Sequence, residues 1–286
     1  MEYKDRLYTT TLDWLLEEEN PSVRHLALRD LVGLEAGSSE LMQARLIAHK
    51  VGAIPAILEK MDPSGFWVKP GAGYSPKYKS TVWAVNLLAQ LGAQVGADER
   101  IDRACAYVLD HTLADGRQFS YNGAPGGTID CLHGNLTWSL QVMGCTDPRL
   151  EQAYDWMARM VTGEGIASQS DRTAELRFYE YKCGPNFACG ANDRKSCAWG
   201  AVKVMKAFGS LPKTQHTPLI QRAIQQGIDF LFSVDPATAA YPSGGTGKPN
   251  LSWWKFGFPI FYITDLLQIG EVLARLGLIN DPRATG

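Results

Sequence analysis

Apolar residues recur along most of this chain at the three-and-four spacing of amphipathic helices, and alternating runs of β-branched residues are nearly absent. The class predicted is all-α. Asn20-Pro21 reads as a helix start, with VRHLALRDLVGL running to about Leu34. Ser38 or Ser39 opens SELMQARLIAHK, and PAILEKM follows. Residues 1–61 therefore form a helical-hairpin lead-in. From 62 to 286 a loose repeat appears. Each unit begins with a Gly- and aromatic-rich loop and runs into an apolar helix: STVWAVNLLAQL, CLHGNLTWSLQVM, SCAWGAVKVMKAF and YITDLLQIGEVLARL. These helices stop at Gly92, Gly144, Gly209 and Gly277, where glycine suits the left-handed residue past a helix end.

Between them lie helices with a charged face, ADERIDRACAYVLDHTL, DPRLEQAYDWMARMV and TPLIQRAIQQGIDFLF. Helices with few charges belong inside and one-faced helices outside. Alternation of the two kinds predicts an α/α toroid, a double-layered helical barrel. Asp281-Pro282-Arg283 repeats Asp147-Pro148-Arg149, the start of an outer helix, just before the chain ends. The ring is therefore expected to be incomplete, or closed by the N-terminal helices. An open helical solenoid is the structural alternative.

The segments STVWAVNLLAQLG, GNLTWSLQVMG, SCAWGAVKVMKAFG and FYITDLLQIGEVLARLG resemble repeats of the squalene-cyclase (terpenoid cyclase) and protein-prenyltransferase β-subunit superfamily. The N-terminal lead-in resembles that of uncharacterised bacterial members. This resemblance implies an α/α toroid with a central apolar cavity and an isoprenoid-like ligand. It also implies, for the prenyltransferase branch, a zinc held near the starts of two inner helices. The acidic motifs of the cyclases, Asp-x-Asp-Asp and Asp-Asp-x-x-Asp, do not occur in this chain. Two readings follow. One is a prenyltransferase- or cyclase-like protein that binds or transforms an isoprenoid-like ligand. The other is a non-catalytic ligand-binding or protein-interaction scaffold on the same fold, with structural cysteines.

Three residue sets are candidates for that chemistry. Cys131, Cys183, Cys189 and Cys197, with His133, cluster at or before the starts of two adjacent inner helices and are candidate zinc ligands. Their spacing is not that of a standard finger or ribbon, so core thiols and a disulfide stand beside the metal as alternatives. Tyr78, Trp83, Trp138, Trp199, Trp254, Phe258 and Tyr262 are candidate cavity-lining aromatics, set against ordinary core packing. Asp130 and Asp265 lie in otherwise apolar inner helices, where a desolvated carboxyl suits acid–base work. For each, a structural hydrogen bond or helix cap is the alternative.

Charge adds only exclusions. Lys and Arg total 28 against 30 Asp and Glu, a formal net charge of −2, so no bulk field favours nucleic acid. No apolar run approaches the roughly 20 residues of a membrane span. Without an export signal, the expected compartment is the cytoplasm and the expected state of the thiols is reduced.

Overall fold

The structure is a computed structural model that describes residues 3–245 and 247–284. It is mostly helical. The lead-in contains α1 (Tyr3–Leu15), α2 (Pro21–Ala27), α3 (Ser39–Lys50) and α4 (Ala53–Leu58). A π-helical turn, Leu28–Val32, extends α2 to Gly33, whose φ of 74° ends it. Ser38 caps α3 by accepting the Leu41 N–H at 3.4 Å. Asn20 precedes α2 without a side-chain cap bond. The lead-in is tied to the rest through His49, whose Nε2 accepts the Gln94 N–H at 3.0 Å.

Then come α5 (Thr81–Gln90), α6 (Glu99–His111), α7 (Asp130–Val142), α8 (Arg149–Thr162), α9 (Ala198–Ser210), α10 (Pro218–Leu231) and α11 (Leu266–Arg275). Helices α5, α7, α9 and α11 pack in a row, each against the next. Helices α6, α8 and α10 lie against that row. The burial follows the sequence pattern. In α7 the nine consecutive residues from Leu132 to Leu140 are buried together with Asp130, and in α9 the nine from Gly200 to Phe208 together with Ala198. In α6 the buried side chains fall on one face, at Ile101, Ala104, Cys105 and Val108.

Two glycines set how closely α7 and α9 approach. A Cβ on Gly134 would lie 2.6 Å from the Lys203 carbonyl carbon, and one on Gly200 would lie 3.1 Å from the Asp130 Cβ. Those contacts, 130 with 200 and 134 with 203, require the two helices to run parallel. Along α9 and α11 the pairs are Lys203 with Gln268, Lys206 with Glu271 and Gly209 with Arg275, so α11 runs the same way.

Two helix ends differ from expectation. Gly92, Gly144 and Gly277 have φ of 80°, 85° and 77°, the left-handed stops anticipated. Gly209 instead lies inside α9, where the Arg275 Cβ would stand 3.1 Å from an added side chain. That glycine serves helix packing, not termination. The last inner helix starts at Leu266, four residues later than its apolar pattern suggests. Asp265 caps it, accepting the Gln268 N–H at 3.0 Å. Residues 260–264 are therefore not helical, which matters below. Among the described residues, strands are limited to two-residue pairs, and no helix is long and apolar enough to cross a membrane.

Candidate functional site

The long loop before α9 positions three thiols. Cys183 and Cys189 are partners across a short antiparallel hairpin. The Gly190 N–H donates to the Lys182 carbonyl at 3.2 Å, so the adjoining Cys183–Cys189 pair takes the non-hydrogen-bonded position. Opposed Cα atoms there sit about 4.5 Å apart, with side chains close. Asn186, Phe187, Asp193 and Arg194 take φ between 52° and 61°, which turns the loop sharply twice. The second turn returns the chain so that the Cys197 N–H donates to the Phe187 carbonyl at 2.9 Å. Cys197 precedes α9 as its cap residue, and its thiol lies in hydrogen-bonding reach of Cys131 on α7 and of Cys189.

The thiols of Cys183, Cys189 and Cys197 are held in the protonated form. Hydrogen bonding to Cys131, then burial, pushes the Cys197 thiol up. Hydrogen bonding to Cys197 and burial do the same for Cys189. Burial, with Asp130 and Cys189 nearby, raises Cys183. All six cysteines are free. Thiolates react and thiols do not. Iodoacetamide at neutral pH is therefore expected to leave Cys105 and Cys183 unlabelled in folded protein, with all six modified after denaturation. Mass spectrometry of the peptides reads this, and rapid labelling of Cys183 in the folded state contradicts it.

His133 is fully buried, and both of its ring nitrogens are used. Nδ1 accepts the Phe119 N–H at 3.0 Å and Nε2–H donates to the Ala153 carbonyl at 3.0 Å. No lone pair remains for a metal. Among the described residues, no group of three or more His, Cys, Asp and Glu side chains is arranged to hold a metal ion. The thiols are of the right type for zinc, yet their arrangement does not fit it.

The two carboxyl groups separate. Asp130, the first residue of α7, is buried, and burial followed by the nearby Cys189 pushes its carboxyl up to about 8. Desolvation outweighs the favourable helix N-terminus. Asp130 is thus mostly protonated at neutral pH. Asp265 is 3% exposed and spends its carboxylate on capping α11.

The aromatic residues form one cluster and several separate sites. Trp83 on α5 donates its Nε1–H to the Tyr74 carbonyl at 2.8 Å. Its ring lies 4.8 Å from Tyr78 and 5.2 Å from each of Tyr74, Phe261 and Tyr262. Tyr78 stacks on Phe261 at 5.6 Å. Trp138 lies apart from these under the Lys206 ammonium, 4.0 Å from its ring centre. Trp199 is partly buried against the main core. Trp254 and Phe258 are 44% and 65% exposed. The structure thus brings together Tyr78, Trp83 and Tyr262 and leaves the other four elsewhere.

Sequence reasoning missed what covers that cluster. Residues 260–263 run as a bent, non-helical segment, held by one polar side chain from each helix of the buried row. Gln90 of α5 donates to the Ile260 carbonyl and accepts its N–H, both at 2.7 Å. Asn135 of α7 donates to the Phe261 carbonyl at 2.9 Å. Gln268 of α11 and Lys203 of α9 donate to the Ile263 carbonyl at 3.2 and 3.4 Å. Lys203 also donates to Gln268 Oε1. Burial, then the neighbouring Lys206, lowers the Lys203 ammonium to about 7. The available signal was an amide or lysine among the apolar positions of each of these helices. Two surface grooves, of about 520 and 190 Å³, are lined by other residues, including Tyr154 and Ile220 for the first and His216 and Arg275 for the second. No protein-family model, no curated protein and no solved structure matches this chain.

Proposed function

We propose that the protein binds an elongated, apolar, isoprenoid-like small molecule on an incomplete α/α toroid, with α5, α7, α9 and α11 as its inner layer. The single observation that carries this reading is the aromatic cluster of Tyr74, Tyr78 and Trp83, which a short non-helical segment covers with Phe261 and Tyr262. Flat rings, Trp83 on α5 and Tyr74 and Tyr78 on the loop before it, give an apolar chain large contact area at small entropic cost. Apart from Asp130, the candidate side chains that would transform a ligand are otherwise engaged. His133 bridges two backbone groups, Asp265 caps a helix and the thiols are protonated. The reading is accordingly of a binding protein with structural cysteines.

A second reading, a protein-interaction scaffold on the same fold, is favoured by the exposed Leu251, Trp254, Phe256 and Phe258, four apolar side chains within eight residues. Titration with retinol separates the two. Binding on the aromatic face quenches tryptophan emission by energy transfer, and Trp83→Phe removes most of that quenching. Emission unchanged by retinol, or quenching that Trp83→Phe leaves intact, contradicts the ligand reading.

A further inference from the structure

The segment over the aromatic face is bound in an unusual way for a structural element. Its main chain is hydrogen-bonded to all four inner helices, and four of the five bonds run from a side-chain donor to a backbone carbonyl. The donors on Gln90, Asn135, Gln268 and Lys203 therefore face a row of acceptor oxygens at Ile260, Phe261 and Ile263. Lys203 is the telling member. It is 1% exposed, and the oxygens it bonds, Gln268 Oε1 and the Ile263 carbonyl, are neutral. Its neighbour Lys206, by contrast, pairs with Glu271 at 2.9 Å. A buried ammonium that bonds only neutral oxygens is a costly arrangement, relieved by an anion. The aromatic rings below, Trp83 and Tyr78, are matched on the segment by Phe261 and Tyr262. The hydroxyl of Tyr262 is buried with no hydrogen-bond acceptor or donor in bonding geometry.

The flanks are loosely held. Phe256 and Phe258 before the segment and Ile263 at its end are each more than half exposed. Lifting the segment uncovers Phe261, Tyr262 and the Trp83 ring they pack on, an apolar area that an incoming ligand chain must cover in turn. The inner-helix donors would then also be left unpaired, which costs about 1–3 kcal/mol each unless another acceptor takes their place.

We propose that residues 260–263 are a displaceable strap occupying a ligand site, and that the ligand replacing it is an elongated isoprenoid-like carboxylate. Its chain lies on Trp83 and Tyr78, and its carboxylate takes the place of the Ile263 carbonyl before Lys203 and Gln268. This rests on the function proposed above and specifies the ligand's head group and the way the site opens. Because the strap competes from within the chain, the apparent affinity is reduced by the fraction of molecules with the strap lifted.

The test uses retinoic acid and retinol, which share a chain and differ in the head group. Native protein is expected to bind retinoic acid at least tenfold more tightly than retinol, and Lys203→Met to abolish that preference. Phe261→Ala, which loosens the strap without altering an inner helix, is expected to bind retinoic acid at least tenfold more tightly than native protein. Hydrogen–deuterium exchange over residues 258–264 should quicken in Phe261→Ala, and should quicken in native protein when retinoic acid is added. Slower exchange of that segment on addition of the acid overturns the strap, because the ligand would then sit beside it. Faster exchange in Phe261→Ala with no gain in affinity also overturns it. If Phe261→Ala does not fold, exchange in native protein decides alone. Equal affinity for acid and alcohol overturns the carboxylate assignment. Failure of both retinoids to bind overturns both this proposal and the ligand reading beneath it, whereas binding without any change at 258–264 overturns the strap only.

Discussion

Replacing Gly134 by alanine lowers the stability of the protein by at least 2 kcal/mol, to order of magnitude, measured as a fall in the denaturant midpoint. An added Cβ would stand 2.6 Å from the Lys203 carbonyl carbon and 2.7 Å from both the Lys203 oxygen and the Val204 nitrogen. All three are backbone atoms of α9, so no rotamer change relieves the clash. The helices must separate, and the buried row loses its tightest contact. Alanine gains roughly 1 kcal/mol over glycine in helix propensity, so the measured loss is the clash less that gain. Gly270 on α11 is the control, since its added Cβ meets nothing within 4 Å. Gly270→Ala should be neutral or stabilising. Equal effects at the two positions would mean that close approach of α7 and α9 is not what Gly134 provides.

His133→Ala is expected to cost more, on the order of 4 kcal/mol. It orphans the Phe119 N–H and the Ala153 carbonyl, each worth about 1–3 kcal/mol when left unpaired, and leaves a void beside Trp156. The same histidine gives an acid-side signature. Burial, partly offset by its bond to Ala153, lowers it from 6.5 to about 4 in the folded protein. The unfolded chain therefore takes up a proton that the folded chain refuses. His133 contributes stability that is full above pH 6.5 and is lost as pH falls from 6.5 to about 4, by roughly 3 kcal/mol in total. His25, also lowered to about 4 by burial and Arg29, acts in the same direction. Asp130 acts oppositely, since its raised carboxyl favours the folded state as pH falls below 8. The clean measurement is the difference between native protein and His133→Gln from pH 7 to pH 4.5. Native protein should lose stability more steeply. Parallel curves would show that His133 is charged when folded.

The helices were legible because each apolar stripe has one period and most end at a glycine in the left-handed region. Gly209 misled for a physical reason: glycine also permits helices to touch, and sequence alone does not separate the two uses. The start of α11 was misplaced because Ile260, Phe261 and Ile263 extend its apolar pattern backward. The better signal was Asp265 with Gln268 three residues on, a capping pair. The thiol cluster was legible only as a neighbourhood, since helix starts bring Cys131 and Cys197 together. Whether those sulfurs suit a metal depends on the two left-handed turns at Asn186-Phe187 and Asp193-Arg194, which no spacing rule predicts. The strap was illegible because its bonds join residues more than a hundred positions apart, Gln90 with Ile260 and Asn135 with Phe261.

Bonds to main chain carry a consequence for how this region tolerates change. Gln90, Asn135, Gln268 and Lys203 recognise carbonyls that every amino acid possesses, so substitutions from Ile260 to Ile263 keep those four anchors. Proline at 260 is the exception, because it lacks the N–H that Gln90 accepts. Over many generations, then, the segment can drift in sequence while its path stays fixed, and the constraint falls instead on four polar residues scattered across four helices.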